Sequence, residues 1–500
     1  MLRFRVFSDG KPVAKLDLSG AYLVGSDGVA VRAEIEFKKG EIRCQKRGVG
    51  PVGLAVVWPV NGAGRLMLET TRLPERERPY VLQVELARNR MMRLLHKVED
   101  WEIDDPECGQ SVAQPVTQSR DLLIQALQAD DDAEAARLAD ESLAVGIRAA
   151  ETLSLHHAST ELARRRGAAD FGKRFFGCGI GLDSQSDEYR RKLLEAFDFA
   201  AVPFSWRQIE PAEQKFNWGP LDNWVEWLSN AGIPIKGSNL VSFAEADVPD
   251  WLYIWEHDFE TIRDLVYEHI RRVLNRYGQY IQTWDVVSGL HGVNCVSFNF
   301  EQLMELTRMA AAVTKQLLPG STAIIELVAP WGEYYARNQR TIPPMLYADM
   351  ALQSGINFDA FGLRCCFGAG LDGLYVRDLF QISSMIDRFA GRSKTLHVTA
   401  VQVPSDTAVD KGDAWKGAQS AAAGGAWHSP WTEDLQAQWL RGFYEIALSK
   451  SFVDSVTWCD LADAGGHYLP HGGLLRRDLT PKPAYQQLAN IRKEIRGDGG

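Results

Sequence analysis

Carboxylates lie near the ends of short β-like runs in the C-terminal two thirds of this 500-residue chain: Glu210, Glu245, Asp247, Asp285, Glu326 and Asp460. Two such groups brought close together can divide the work of general acid and of base or nucleophile. Tryptophans are interleaved with them at Trp206, Trp284, Trp331 and Trp458, among 15 in the chain. A tryptophan face can carry a flat ligand or fill a core, so residue type alone leaves both uses open. Asp285 reads as a supporting carboxylate or a hydrogen-bonded structural one. Glu326 faces either a cleft or a helix, and Glu210, followed by Pro211, reads as a structural turn. The ten histidines show no HExxH or paired-ligand spacing, and His156 and His157 fall on a helical stretch. No metal site is expected from them. No GxSxG, Walker or dinucleotide fingerprint stands in context, so no cofactor is expected.

Elements that could position these groups follow from the patterning. From residue 171 onward, β-like runs alternate with amphipathic segments. The runs are Phe176 to Gly181, Phe199 to Phe204, Ile233 to Val241, Ile281 to Val287, Thr322 to Val328, Phe358 to Leu363, Thr395 to Val401 and Ser455 to Asp460. Eight strands with intervening helices predict an α/β fold, a (β/α)₈ barrel, whose chemistry sits at the C-terminal strand ends. Residues 1–110 carry short runs, from Leu2 to Phe7 through Tyr80 to Leu86, split by turn signals such as Ser8-Asp9-Gly10 and Asn61-Gly62. They predict an all-β sandwich of jelly-roll type, serving either as a carbohydrate-binding module or as an assembly domain. Residues 111–170 predict a helical connector. Asp131 to Arg166 has an apolar face at three-and-four spacing, acids at its start and Arg164 to Arg166 at its end. The barrel is expected over 171–497, and the long stretch Asp406 to Trp431 is expected as a lid, a partner surface or a surface loop.

Composition narrows the partners. A net charge of −10 argues against nucleic acid and anionic membranes. No segment approaches 18 consecutive apolar residues, so no membrane span is expected. The seven cysteines are scattered, which predicts buried free thiols, and with no signal-peptide pattern at the N-terminus they predict a cytoplasmic location.

Several stretches, in order along about 320 residues, resemble family 10 glycoside hydrolases, the xylanase type. Trp206 with Glu210-Pro211, Phe216, Trp218 and Asp222 resembles that family's KWxxxEPxxGxFxFxxAD stretch. Gly237 to Val241 stands where the family reads GHTLV, and Trp284-Asp285-Val286-Val287 opens its WDVVNE motif. Asp359 to Leu363 resembles DGIGLQ, Val398-Thr399 begins ITELDV, and Lys482-Pro483-Ala484-Tyr485 resembles the closing KPAY. The resemblance implies a retaining glycosidase barrel whose two glutamates stand about 5–5.5 Å apart. Here the acid/base position is Gly289 and the nucleophile position is Ala400. Arg364 and Cys366 replace the Gln and His of GLQSH, while Trp458 and Asp460 remain after the last strand. The expectation is therefore a xylanase-like pseudoenzyme that binds or scaffolds. Trp206, Trp284, Asp285, Glu326, Arg364, Trp458 and Asp460 are its candidate cleft residues, and carbohydrate is its candidate partner. Two alternatives stand beside it: an active glycosidase with relocated carboxylates, and a self-assembling homo-oligomer built through the β domain and connector helix.

Overall fold

In the computed structural model, which describes residues 1–8, 10–101, 106–167, 171, 172 and 174–496, the eight expected runs close into one parallel barrel. Its strands are β1 (Phe176–Gly179), β2 (Phe199–Pro203), β3 (Ile235–Ser238), β4 (Thr283–Ser288), β5 (Thr322–Leu327), β6 (Ala360–Cys366), β7 (Thr395–Gln402) and β8 (Val453–Trp458). Each pairs in parallel with the next, and β8 returns to β1 through Gly177↔Thr457. The outer helices form where apolar residues recur at three and four. In Phe259–Tyr277 the buried stripe is Ile262, Val266, Ile270, Val273 and Leu274, and Asp258 caps the first turn by accepting from the Thr261 amide. Asn299 and Gln302 make a reciprocal capping box at the start of Phe300–Leu317.

Two register shifts fall where the barrel opens. The first separates Asp285 from Val287 on β4, and the second inserts Thr399 on β7 opposite β6. A bulge re-aims the side chains beside it. Its consequence on β7 is that Thr399 and Ala400, although consecutive, both line the mouth.

The N-terminal region holds two small sheets and a two-stranded ribbon, Phe7–Ser8 with Lys11–Pro12. One has the order Tyr80–Val81, Leu2–Arg5, Glu41–Lys46, Ala33–Lys38. The other runs Gly64–Glu69, Gly53–Val60, Tyr22–Val24, Ala30–Val31, and its outer edge is completed by Ala426–Trp427 from the barrel. Three helices follow, α1 (Leu82–Asp100), α2 (Pro106–Gln128) and α3 (Asp132–Gly167). The expected run Tyr80 to Leu86 is thus corrected: the strand stops at Val81. Val84, Ala87, Met91 and Leu94 continue the pattern at helical spacing and are buried, so α1 wins over a strand. Helices therefore begin at residue 82, well inside the expected 1–110 β region. The expected boundary at 110 lies among residues whose side chains are outside the described set.

Helix α3 spans 36 residues, about 54 Å. It packs against α1, α2 and the barrel helix Glu433–Ser449. The seam between the N-terminal region and the barrel is buried and ionic. Arg90 meets Asp378 at 2.5 Å, Arg377 donates to the Tyr22 hydroxyl at 3.2 Å, and the Trp427 indole donates to Glu151 at 2.6 Å. Burying charge is costly, and removing one partner of such a pair would strand the other away from water. The stretch 406–431, expected as a lid, a partner surface or a surface loop, is tied down at two points. Its Ala426–Trp427 strand joins the N-terminal sheet, and Asp410 Oδ2 accepts from His467 and from the His471 amide. None of its residues lines the mouth. The described cysteines are all free: Cys44, Cys178, Cys365 and Cys366 are buried, whereas Cys295 and Cys459 are partly exposed, against expectation. The side chain of Cys108 lies outside the described set. No helix of the described residues is long and apolar enough to cross a membrane.

Candidate active site at the barrel mouth

Strand alternation sends every second residue of a barrel strand inward. Applied to β3 through β7, it stacks Lys236, Asp285, Glu326, Arg364 and Thr399 around the axis, where ion pairs and hydrogen bonds join them. Lys236 Nζ is 3.0 Å from Asp285 Oδ1, and Arg364 grips both oxygens of Glu326, at 2.9 and 3.2 Å. The Thr399 hydroxyl donates to Glu326 Oε1 at 2.6 Å. Above this floor opens a cavity of about 870 Å³, rimmed by Asp247, Cys459, Asp460 and Tyr468. Of the expected cleft residues, Asp285, Glu326, Arg364 and Asp460 meet there, with Ala400 beside them.

Burial pushes the Asp285 carboxyl up to about 6; Lys236 opposes this and the Glu326 charge adds to it. Burial acts on Glu326 too, but Arg364, the Thr399 hydroxyl and Lys236 outweigh it and hold that carboxyl below its usual value. Asp247 and Asp460 are both raised by burial. The nearby Ser242 and Ser205 hydroxyls offset it in part for Asp247, and hydrogen bonds from the Tyr468 amide and Gln402 do so for Asp460. Among the described residues no group of three or more His, Cys, Asp or Glu is arranged to hold a metal.

Residues 185–292 match the family profile "Glycosyl hydrolase family 10". This is a family 10 glycoside hydrolase-like, xylanase-like chain. It is 26% identical over 121 residues to endo-1,4-beta-xylanase 1 of Gibberella zeae, an alignment covering 23% of this chain and 33% of that one. It is 22% identical over 325 residues to an endo-1,4-beta-xylanase/feruloyl esterase of Xylanibacter ruminicola, covering 59% of this chain and 42% of the relative. The chain thus spans less than half the length of these curated relatives. Among solved structures, xylanase 10B of Thermotoga maritima superposes with a TM-score of 0.48 at 16% identity, over 67% of this chain and 98% of that one.

In this family 10-like barrel the three tryptophans expected at the cleft belong to the core instead. Trp284 is fully buried against Phe204 and donates to the Ile281 carbonyl. Trp458 is fully buried and donates to the Gly472 carbonyl. Trp206 stacks on His269 at 4.7 Å and donates to Glu210, which also accepts from the Gln214 amide and so serves its turn. Each indole N–H finds its partner inside the protein, as a buried one must. Glu245 is exposed and away from the cavity lining. Gly289 does not line the cavity either. Its φ is +63°, and a Cβ there would lie 3.0 Å from both Val328 methyls, so the position turns toward Val328. Ala400 is 7% exposed and packs with Cys366 and Leu469. The sequence reading missed Lys236, Thr399, Thr457 and Tyr468. Counting back two from Ser238, at the end of the same strand, would have found the first, because residues two apart on a strand share a face.

Proposed function

We propose that this family 10-like barrel binds carbohydrate at its mouth without hydrolysing it. The observation that carries this reading is the pair of positions the family resemblance assigns to chemistry. At the nucleophile position the mouth presents the Ala400 methyl, which can neither attack nor hold charge. At the acid/base position stands Gly289, in a left-handed backbone turned toward Val328. Losing both groups removes the proton donor and the covalent route together. The two central carboxylates are committed to cations, Glu326 to Arg364 and Asp285 to Lys236. In this reading the N-terminal sheets and α1 to α3 buttress the barrel and present it to a partner or a second copy.

The test is incubation with xylo-oligosaccharides and aryl xylosides beside calorimetric titration with short sugars. Binding without product above buffer is expected. Hydrolysis with retained configuration that vanishes in Glu326→Gln or Asp247→Asn would replace this reading with relocated carboxylates. One observation favours that second reading: Glu326 is lowered while Asp247 and Asp460 are raised in the same cavity, the split that separates a base from an acid.

A further inference from the structure

The mouth is electrically unbalanced. Asp183, Asp247, Asp285, Glu326 and Asp460 line the cavity, against the guanidinium groups of Arg207 and Arg364. Neither arginine is left over. Arg364 is held by Glu326 at 2.9 Å, and Arg207 reaches outward to Asp250 at 2.8 Å, a residue that does not line the cavity. Lys236, lying below the floor, is matched by Asp285. Among the described residues, the ion pairs therefore leave Asp183, Asp247 and Asp460 without a cationic partner.

The last two differ from surface carboxylates in how they are held. Asp460 Oδ2 accepts from Gln402 at 2.9 Å and from the Tyr468 amide at 2.7 Å, both neutral donors. The hydroxyls of Ser242 and Ser205 stand near Asp247 and offset in part the burial that raises its carboxyl. Neutral donors orient a carboxylate but leave its charge uncancelled, and a cavity walled by protein screens that charge far less than open water does. A second observation marks the same space as a built site. Thr457 lines the cavity, is 1% exposed, and its hydroxyl has no hydrogen-bond partner. A buried polar atom of this kind is ordinarily satisfied, here from the cavity side. A volume of about 870 Å³ accepts a mono- or disaccharide. No tryptophan lines it, and the one aromatic ring among the described lining residues, Tyr468, already carries the Arg364 guanidinium at 5.7 Å, so charge is left as the main source of selectivity.

We propose that the mouth selects a small carbohydrate bearing a primary amine, its ammonium group neutralising Asp247 or Asp460 and a hydroxyl meeting Thr457. This rests on the reading of the mouth as a carbohydrate site and narrows the ligand to an amino sugar. A neutral sugar of the same shape would leave the carboxylates uncompensated.

The test compares D-glucosamine with N-acetyl-D-glucosamine and D-glucose by calorimetry on the full chain, at a pH where the amine is protonated. Glucosamine is expected to bind at least about ten-fold tighter than either neutral sugar, with the advantage shrinking at high salt. Asp247→Asn or Asp460→Asn is expected to erase that advantage while weak neutral-sugar binding persists and the melting temperature confirms folding. Equal affinities for the three sugars, or an advantage unchanged in both variants, would overturn the proposal. If xylobiose or glucose bound as tightly as glucosamine, the carbohydrate site would stand and the charge selection would fall. If no sugar bound at millimolar concentration, both would fall.

Discussion

Lys236 Nζ stands 3.0 Å from Asp285 Oδ1 in the middle of the barrel, with neither side chain more than 3% exposed. The contact is a charge pair rather than a well-directed hydrogen bond, because neither atom has a hydrogen-bond partner of good geometry. Desolvating two ions is costly, and their attraction offsets that cost only while both are present. Lys236→Met alone is therefore expected to cost about 3–5 kcal/mol, since it strands a buried carboxylate. Lys236→Met with Asp285→Leu is expected to recover most of it. Urea unfolding of the single and double variants reads the difference, and equal losses in both would show that the pair is not coupled.

Asp140 gives the chain a pH dependence far from the mouth. Burial in the space between α3 and the sheets pushes its carboxyl up to about 7, against hydrogen bonds from Trp58 and Gln83. A carboxyl raised on folding favours the folded state when protonated. That contribution is complete below the unfolded value near 3.8 and is lost as pH rises through 7. Asp140→Asn should abolish this loss, so the variant melts higher than wild type at pH 8 and gains nothing at pH 4. The difference corresponds to a few kcal/mol at most, on the order of 1.4 kcal/mol per pH unit crossed. Identical melting curves across pH would remove Asp140 from the account.

His428 shifts stability with pH in the same direction, but through its charged form. Burial lowers its pKa, but its ion pair with Glu151 at 2.9 Å outweighs this and raises it overall. A histidine raised on folding stabilises fully below its unfolded value, near 6.5, and the contribution is lost as pH climbs through the folded one. His428→Gln should therefore lower the melting temperature at pH 6 and leave it little changed at pH 9. A variant that melts equally far below wild type at both values would point to packing, not charge.

The barrel was largely legible in the sequence, because each strand run is short and apolar and each following helix shows its own period. The carboxylates were legible too: Glu326 lies near the end of β5 and Asp460 just beyond β8, where strand ends converge, while Asp285 faces the axis from within β4. What escaped was direction. Trp206, Trp284 and Trp458 sit on or just after barrel strands, yet nothing in residue type says whether an indole faces the cavity or the helix layer. Lys236 was hidden by the opposite bias, since a lysine inside a barrel is unexpected until its partner on the next strand is known. The start of α1 failed for a third reason. Tyr80 to Leu86 alternates over so few residues that period two and period 3.6 both fit, and burial against α3 decides.

Gly289 offers the sharpest separation of a missing group from a missing geometry. Its φ of +63° is open to glycine and costs other residues about 1–2 kcal/mol, and a Cβ would also press on both Val328 methyls at 3.0 Å. Gly289→Ala is therefore expected to destabilise by about 1–2 kcal/mol in chemical denaturation, and Gly289→Ala with Val328→Ala should lose the steric share while keeping the backbone share. The same geometry governs attempts at restoration. Ala400→Glu places a carboxylate in the mouth, but Gly289→Glu starts from a Cα turned toward Val328 and not the cavity. The double variant is expected to give no more aryl-xyloside turnover than Ala400→Glu alone. Turnover rising by orders of magnitude in the double variant would mean that the β4 end re-forms around a glutamate, and that the barrel lost its chemistry by two substitutions alone.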